Sequence, residues 1–431
     1  MNGRRFAGKS FASLCIKIGA AGLSFVMFVM LARALDATQF GQFGFAFSLA
    51  TFLGVLGAMG QRNLVLRFVA VAVDQGDIKA ARRVTRHSFA RVLLGTALIV
   101  IALLGVSQVP SFRTQSHVLM AAACLTFSIG LAEFQPHIQR AAGSVLRALL
   151  PRDIAARLCM IAFASSVIFL DYQDLTAIDA ILFFAACLII LTVLQSFSMD
   201  LTHPRHFFGR SYTKDSNHLE WQSAMWGFWG NSVLNASGRN LAIVAVGFLM
   251  PAVALSSFFA ALRTAMVLEL CLMAINIVAA PLLARHLQAG RKSEAQVLCQ
   301  KVTLLIGIPT FGLYLMIVLY GDQILNLFGP GYDIAHKELI ILATGYLISA
   351  LAGPTAQVLE MGGQERTYFW MLLWTTGLSL LAIVALTPIF GTLAAAISIS
   401  TSMICLKLWA YLHIYRHFGL SAGVVRLRTA V

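Results

Sequence analysis

One apolar stretch of the sequence carries a regular set of polar side chains. In GNSVLNASGRNLAIVAVG, Asn231, Asn235 and Arg239 recur every four residues, and this spacing places them on one face of a helix. Arg263 lies in the next apolar stretch, SSFFAALRTAMVLELCLMAIN. Guanidinium groups and amides in apolar surroundings are suited to bind an anion through charge-assisted hydrogen bonds. We therefore predict an anion-binding site that contains these four residues.

Two more ionisable side chains interrupt apolar stretches. Lys17 lies among small residues near the start of the chain, and we assign it to the same anion-binding site. Glu269 follows Arg263 by six residues, a little under two helical turns. Its carboxylate has two interpretations, either an ion pair with an arginine or the uptake and release of a proton.

Signatures of enzyme chemistry are absent from the sequence. It contains neither the phosphate-binding pattern G-x-x-x-x-G-K-[ST] nor the zinc pattern H-E-x-x-H. The seven cysteines form no C-x-x-C pair. We predict a protein that is not an enzyme and has no metal site and no cofactor.

The composition is that of a membrane protein. Hydrophobic residues make up 59% of the chain and charged residues 12%, with a mean hydropathy of +0.80. A typical soluble domain is about 45–50% apolar and about 25% charged. Because so few polar residues cannot cover a soluble surface, we predict an all-α polytopic membrane protein. Ionisable residues inside its spans are then candidates for function.

The apolar stretches define the helices that must position these residues. A span needs roughly 20 apolar residues, and twelve segments approach this length. They are 11–33, 40–60, 89–108, 117–135, 154–170, 179–199, 223–249, 254–282, 302–320, 337–360, 368–388 and 392–413.

The loop charges predict the orientation. When alternate loops are assigned to opposite sides, the outer loops hold Arg113 and Lys337, and the inner loops hold most of the other cations. Cations accumulate on the cytoplasmic side of membrane proteins, so we predict that both termini are cytoplasmic. The net charge of +14 then reflects topology and attraction to anionic membrane lipid rather than nucleic-acid binding.

A polar segment divides the predicted spans into six and six. We predict an N-terminal six-helix bundle over 1–200, a cytoplasmic linker over 201–222 and a C-terminal six-helix bundle over 223–413, followed by a basic cytoplasmic tail over 414–431. With an even number of spans in each half, the halves have the same orientation. This permits two parallel repeats around a central cavity.

Several other charges have simpler interpretations. We assign Arg91, Glu133, Arg157 and Glu360 to the inner membrane interface. Lys407, near the inner end of the last span, can extend its long stem to the headgroups. The same alternative applies to Lys17.

The first predicted hairpin has a recognisable pattern. Its turn contains Arg33 and Asp36, which can pair across three residues at the membrane edge. The surrounding stretch, LARALDATQFGQFGFAFSLATFLGVLGAMGQRNLVLRFVA, resembles the first hairpin of the polysaccharide repeat-unit flippases of the multidrug/oligosaccharidyl-lipid/polysaccharide (MOP) exporter superfamily. The matching residues are Leu31, Ala32, Arg33, Leu35, Phe40, Gly41 and Arg67. Asp36-Ala37 replaces the usual Gly-Pro of that turn, and a later F-G-x-x-Y stretch begins at Phe328.

This resemblance implies a fold and a function. The fold is two six-helix bundles around a central cavity, as in MATE transporters. The function is to move an undecaprenyl-diphosphate-linked oligosaccharide from the inner to the outer leaflet of the bacterial cytoplasmic membrane. Partners of such a flippase include a polysaccharide polymerase and export proteins. Two alternatives stay open: a multidrug or organic-ion exporter of the same superfamily, and a non-transporting subunit of a polysaccharide assembly complex.

Overall fold

The computed structural model describes residues 3–110, 115–172, 174–203 and 218–423, and this described part contains helices and no strand. The first helices are α1 (Gly3–Ala34), α2 (Ala37–Gly57), α3 (Gln61–Asp74), α4 (Ile78–Ser107), α5 (Ser116–Ala141), α6 (Val145–Leu149), α7 (Ala156–Phe169), α8 (Ala177–Ser196) and α9 (His218–Leu249). They are followed by α10 (Ala252–Ala265), α11 (Glu269–Gln288), α12 (Lys292–Asn326), α13 (His336–Leu351), α14 (Thr355–Met361), α15 (Glu365–Phe390) and α16 (Thr392–Phe418).

The predicted spans correspond closely to these helices. Eleven stretches of the described chain are long and apolar enough to cross a membrane. The predicted fifth span falls on α7, which has only 14 residues and continues from a π-helical segment, Leu150–Ala155. The predicted eighth span contains a short 3₁₀ turn, Met266–Leu268, between α10 and α11.

Two predicted boundaries were wrong. The inner loop expected over 61–88 contains α3 and the first turns of α4. The tenth span, expected over 337–360, ends with α13 at Leu351. The reason is local: Gly353 has a φ of +77°, a conformation that favours glycine, and Pro354 cannot continue the helix.

The turn of the first hairpin lies where the sequence predicted it. Asp36 precedes α2 and its Oδ1 accepts a hydrogen bond from the backbone N–H of Gln39 at 2.7 Å. This is an N-cap, which satisfies one of the free donors at a helix start. The side chain of Gln39 in turn accepts a hydrogen bond from the N–H of Ala177 at 2.7 Å. The hairpin is thereby joined to the start of α8.

The described helices form two compact units, Met1–Val244 and Ala245–Val431. The division falls inside α9, so most of that helix groups with the N-terminal helices. Residues 204–217 of the predicted linker and 424–431 of the predicted tail lie outside the described residues. In the tail, α16 continues to Phe418.

Glycines allow close approach of three helices in the first unit. A Cβ on Gly130 of α5 would lie 2.3 Å from Cγ2 of Thr96 in α4, and one on Gly54 of α2 would lie 2.9 Å from Ile129. Both distances are shorter than real contacts, so a Cβ at either position would force its neighbours to shift. Glu133 lies three residues beyond Gly130, about one turn of the same helix. The packing of Gly130 therefore fixes where this acidic residue sits.

Candidate functional site: a charged cluster in the first unit

Two buried carboxylates form the centre of a charged cluster in the first unit. Glu133 of α5 is 8% exposed and Asp153 of the π-helical segment is 6% exposed. Buried carboxylates are tolerated where cations and hydrogen bonds compensate for the lost water. Both carboxylates meet this requirement with two cations each.

Each carboxylate oxygen contacts a different cation. Arg62 lies 3.4 Å from Oε2 of Glu133, and Arg152 donates to Oε1. Lys17 lies 3.7 Å from Oδ2 of Asp153. Arg157 lies 3.6 Å from Oδ1 of the same carboxylate. We call Arg62 and Arg152 the Glu133 pair, and Lys17 and Arg157 the Asp153 pair.

Five helical elements meet to build this cluster. Lys17 comes from the first half of α1, Arg62 from the first turn of α3, and Glu133 from the last part of α5. The π-helical segment supplies Arg152 and Asp153, and the first turn of α7 supplies Arg157. Because successive spans are antiparallel, these positions all lie at one end of the first unit. The loop charges predict that this end faces the cytoplasm, and this orientation stays a prediction from the sequence.

The π-helical segment sends two adjacent residues to different partners. Arg152 pairs with Glu133, and Asp153 receives Lys17 and Arg157. The segment begins with Leu150-Pro151, and proline has no N–H to contribute to the regular helical pattern. Single π-helical turns inside helices occur frequently at functional sites.

Glutamines hold the helices around the cluster. Gln139 of α5 donates to the backbone oxygen of Gln195 at 3.1 Å, and Gln195 of α8 donates back to Oε1 of Gln139 at 3.0 Å. Gln195 also lies 2.9 Å from the backbone oxygen of Arg147. These bonds connect α5, α6 and α8 next to the charged residues.

The cations are more exposed than the carboxylates that they contact. Side-chain exposure is 31% for Lys17, 21% for Arg62, 33% for Arg152 and 22% for Arg157, against 11% and 9% for Glu133 and Asp153. Four cations and two carboxylates leave a surplus of positive charge. Each guanidinium has five N–H donors, so donors remain available beyond the carboxylate contacts. The arrangement is chemically suited to hold an anion.

The polar face predicted on α9 is present. Asn235 donates to the backbone oxygen of Asn231 at 2.8 Å and to its Oδ1 at 2.9 Å. Both asparagines are exposed and Arg239, one turn further, is half-buried. The four-residue spacing thus brings Asn231 and Asn235 into contact.

Helix α3 lies beside both the cluster and this polar face. Asn63, next to Arg62, donates to the hydroxyl of Ser232 at 3.2 Å, and Ser232 is next to Asn231. Trp229 anchors the same part of α9 by donating to the backbone oxygen of Leu56 at 2.9 Å. The predicted face of α9 therefore lies close to a helix that contributes to the cluster.

Arg263 belongs to the second unit. Its guanidinium lies 4.7 Å from the centre of the Phe259 ring, a cation–π contact, and 3.8 Å from the sulfur of Met266. A site shared by Arg239 and Arg263 remains a prediction from the sequence.

The second unit has its own charged group around Lys407. Its Nζ donates to the hydroxyl of Thr355 at 3.3 Å, and the carboxylates of Glu269 and Glu360 act electrostatically on it. Lys407, which could extend to the headgroups, contacts α14 through this bond. Partial loss of solvation raises the pKa of the Glu360 carboxyl, Glu365 adds to this rise, and Lys407 opposes it. Glu269 thus has the ammonium of Lys407 as a cationic neighbour, and its pairing with an arginine stays a prediction.

Sequence reasoning missed most of the cluster in the first unit. It assigned Glu133 and Arg157 to the membrane interface, whereas Glu133 is buried and both form ion pairs. Arg62 and Arg152 were counted as ordinary loop cations, and Asp153 was not considered. Lys17 was the one member predicted as a site residue. One available signal was an Arg-Asp pair directly before a predicted span.

Within the described part of the chain, no group of three or more His, Cys, Asp or Glu side chains could hold a metal ion.

The fold is that of the MOP transporter superfamily. An inward-facing multidrug-resistance MATE family transporter of this superfamily is similar with a TM-score of 0.70 at 14% identity, over 94% of this chain and 98% of that one. Its outward-facing counterpart gives 0.62 at 14% identity, with 94% of each chain covered. A MOP superfamily transporter from Pyrococcus furiosus, described by a binding pocket of reversed polarity, gives 0.61 at 13% identity over 95% of each chain.

The family follows from the sequence match. The model of the polysaccharide biosynthesis protein family matches residues 6–287, and the MatE model matches residues 230–387. The chain belongs to the polysaccharide biosynthesis protein family. Among curated proteins, none matches it significantly. The all-α membrane fold and the superfamily predicted from the sequence are thus confirmed.

Proposed function

We propose that the protein flips undecaprenyl-diphosphate-linked oligosaccharide repeat units from the inner to the outer leaflet of the bacterial cytoplasmic membrane, for polysaccharide biosynthesis. The observation that carries this proposal is the cluster of four partly exposed cations over two buried carboxylates. A diphosphate is a strong acceptor for such donors. Membership of the polysaccharide biosynthesis family supports a lipid-linked sugar as the cargo.

The position of the cluster suits the loading step. It lies at the end of the first unit that loop charges assign to the cytoplasm, where a lipid-linked sugar made inside the cell would enter. The polar face of Asn231, Asn235 and Arg239 lies near α3, and amides can hydrogen-bond sugar hydroxyls. In this proposal the cluster binds the diphosphate.

Glu269 is proposed as a proton-coupling residue. Its neighbour Lys407 also fits a purely structural ion pair, and one substitution separates the two roles. Glu269→Gln abolishes transport if the carboxylate must take up and release a proton. Full transport by this variant would leave Glu269 with a structural role.

A multidrug or organic-ion exporter is the second candidate, because the MatE model matches residues 230–387. Export of organic cations requires acidic groups facing the cargo. In the cluster of the first unit, the carboxylates are buried and the exposed groups are cationic. This polarity favours an anionic cargo.

The test is a leaflet assay in the host. Deletion of the chain should cause complete lipid-linked repeat units to accumulate in the inner leaflet, where a membrane-impermeant label cannot reach them. The intact chain and an Arg291→Ala control, which alters an exposed cation, should restore labelling. The Arg239→Ala/Arg263→Ala variant should insert normally but fail to restore it. An unchanged lipid-linked pool in the deletion strain would reject the flippase proposal and favour drug export, to be tested by dye efflux.

A further inference from the structure

The charged cluster contains two similar groups, each centred on one carboxylate; in the second, Arg157 also donates to the hydroxyl of Ser24 and to the backbone oxygen of Asp153. In each, one buried carboxylate contacts two cations, one through each oxygen. The Glu133 pair consists of two guanidiniums, and the Asp153 pair of an ammonium and a guanidinium. A carboxylate with a cation on each oxygen holds those cations at a fixed separation and leaves their outer surfaces accessible.

Two adjacent residues join these two carboxylate-centred groups. Arg152 belongs to the Glu133 pair, and Asp153 is the centre of the other pair. Their Cα atoms are separated by one peptide bond, about 3.8 Å. Arg152 and Glu133 of the first pair also act electrostatically on Lys17 of the second, so the two pairs are neighbours, and the π-helical segment connects them. The two phosphoryl groups of a diphosphate are also neighbours, joined by one bridging oxygen.

We infer that the cluster binds a diphosphate through two phosphoryl subsites, one formed by Arg62 and Arg152 and the other by Lys17 and Arg157. This inference rests on the proposed function and assigns each phosphoryl group to its own pair of cations. Each subsite offers two cations to the non-bridging oxygens of one phosphoryl group. Glu133 and Asp153 are positioning residues that hold the cations of their own subsite.

Two separate subsites would make the cluster selective for a lipid diphosphate over a lipid monophosphate. A lipid monophosphate or a phospholipid headgroup has one phosphoryl group and fills one subsite. A lipid diphosphate fills both. Because a hydrogen bond to a charged group contributes about 1.5–3 kcal/mol, the second subsite should favour diphosphate over monophosphate by about tenfold or more.

The experiment removes one subsite at a time without leaving a buried carboxylate unpaired. Arg62→Gln/Glu133→Gln/Arg152→Gln removes the first subsite, and Lys17→Gln/Asp153→Asn/Arg157→Gln removes the second. Each triple variant loses two cations and one carboxylate, so the variants are matched in charge. The purified full chain in lipid nanodiscs is titrated with undecaprenyl phosphate, undecaprenyl diphosphate and phosphatidylglycerol. Monodispersity and Tm establish that each variant is folded.

The wild-type protein should prefer undecaprenyl diphosphate over the monophosphate by about tenfold or more, because the second subsite adds charge-assisted hydrogen bonds to the second phosphoryl group. Either triple variant should lose this preference and keep the monophosphate affinity of the wild type within about threefold, since one subsite remains. The variant with all six substitutions should bind neither lipid.

Three outcomes separate the inference from the function on which it rests. A triple variant that keeps the diphosphate preference would overturn the two-subsite inference while leaving the flippase proposal intact. So would a triple variant that loses both lipids completely, because the four cations would then act as one site. If the wild type binds phosphatidylglycerol as well as either undecaprenyl lipid, the site is a headgroup site and the diphosphate assignment of the proposed function fails.

Discussion

Arg152 of the π-helical segment donates to Oε1 of Glu133, a residue of α5 that lies 19 positions earlier in the chain. Oε2 of the same carboxylate faces Arg62 at 3.4 Å. Glu133 is therefore the residue that neutralises two cations contributed by different helices. Its removal leaves both of them without their common partner.

Glu133→Ala should destabilise the protein strongly. Breaking a buried ion pair by removing one partner costs about 3–5 kcal/mol, and the partial exposure of the two arginines places the cost near the lower value. Thermal unfolding in detergent measures this loss. Glu294→Ala is the matched control, because Glu294 is 53% exposed and pairs with the exposed Arg291; exposed pairs contribute about 0–1 kcal/mol. Equal Tm values for the two variants would show that Glu133 does not hold the cluster together.

The helices were predictable from the sequence because hydropathy is a local property. A run of apolar residues gives the length of a span, and Asp36 marks a helix start by its residue type. The i to i+4 contact of Asn231 and Asn235 was likewise predictable, since it depends only on helical geometry.

The charged cluster was not predictable in the same way. Its contacts join Arg62 to Glu133 across 71 residues, and Lys17 to Asp153 across most of the first unit. Which helices are neighbours decides these pairs, and loop charges do not encode that order. The π-helical segment that contains Arg152 and Asp153 has only Pro151 as a local signal. Sequence therefore placed Glu133 at a depth in the membrane but could not identify its partners.

Gly130→Ala should also disturb the cluster, through the backbone. An added Cβ would lie 2.3 Å from Cγ2 of Thr96, and Thr96 cannot rotate freely because it is β-branched and its hydroxyl is bonded to the Val92 oxygen at 2.6 Å. Overpacking of this kind costs about 1–3 kcal/mol. The expected result is a lower Tm together with weaker undecaprenyl diphosphate binding.

Two further variants test whether contact with Thr96 causes the loss of stability in Gly130→Ala. Gly105→Ala, in the same helix as Thr96, has nothing within 4 Å of the added Cβ and should change Tm little. Thr96→Ser removes the methyl group that clashes, so Thr96→Ser combined with Gly130→Ala should recover part of the loss. A double variant no more stable than Gly130→Ala would show that the Thr96 methyl group is not what the new Cβ meets.

Gln296 of α12 holds the chain segment that follows α16. Its Nε2 donates to the backbone oxygen of Ser421 and its Oε1 accepts from the backbone N–H of Ser421, both at 2.7 Å. Thr303 donates to the next carbonyl, that of Ala422, at 2.7 Å. Leu420 and Ala422 are 2% and 0% exposed. One side chain thus satisfies both polar groups of a buried backbone unit.

Gln296→Ala should release this segment. Each buried backbone group left without a partner costs about 1–3 kcal/mol, so hydrogen exchange at Ser421 should accelerate by tenfold or more. Gln296→Glu is the near-isosteric comparison. It keeps an acceptor for the N–H of Ser421 but places a negative charge against its carbonyl oxygen, so it should also accelerate exchange. Unchanged exchange in both variants would mean that Thr303 and the apolar contacts hold the segment without Gln296.

Glu360 provides a test of the electrostatics in the second unit. Partial loss of solvation raises the pKa of its carboxyl above the usual glutamate value of about 4.3, with Glu365 adding to the rise and Lys407 opposing it. Glu365→Gln should therefore lower the pKa of Glu360, and Lys407→Met should raise it further. The pKa is measured by ¹³C NMR of labelled glutamate, with the resonance assigned by its loss in Glu360→Gln. Because the raised pKa means that the folded state binds this proton more tightly than the unfolded state, Glu360 favours folding at low pH and opposes it as pH rises through the raised pKa. If the pKa of Glu360 falls in Lys407→Met, the ammonium of Lys407 does not act on the Glu360 carboxyl. Glu269 would then be the carboxylate partner of Lys407.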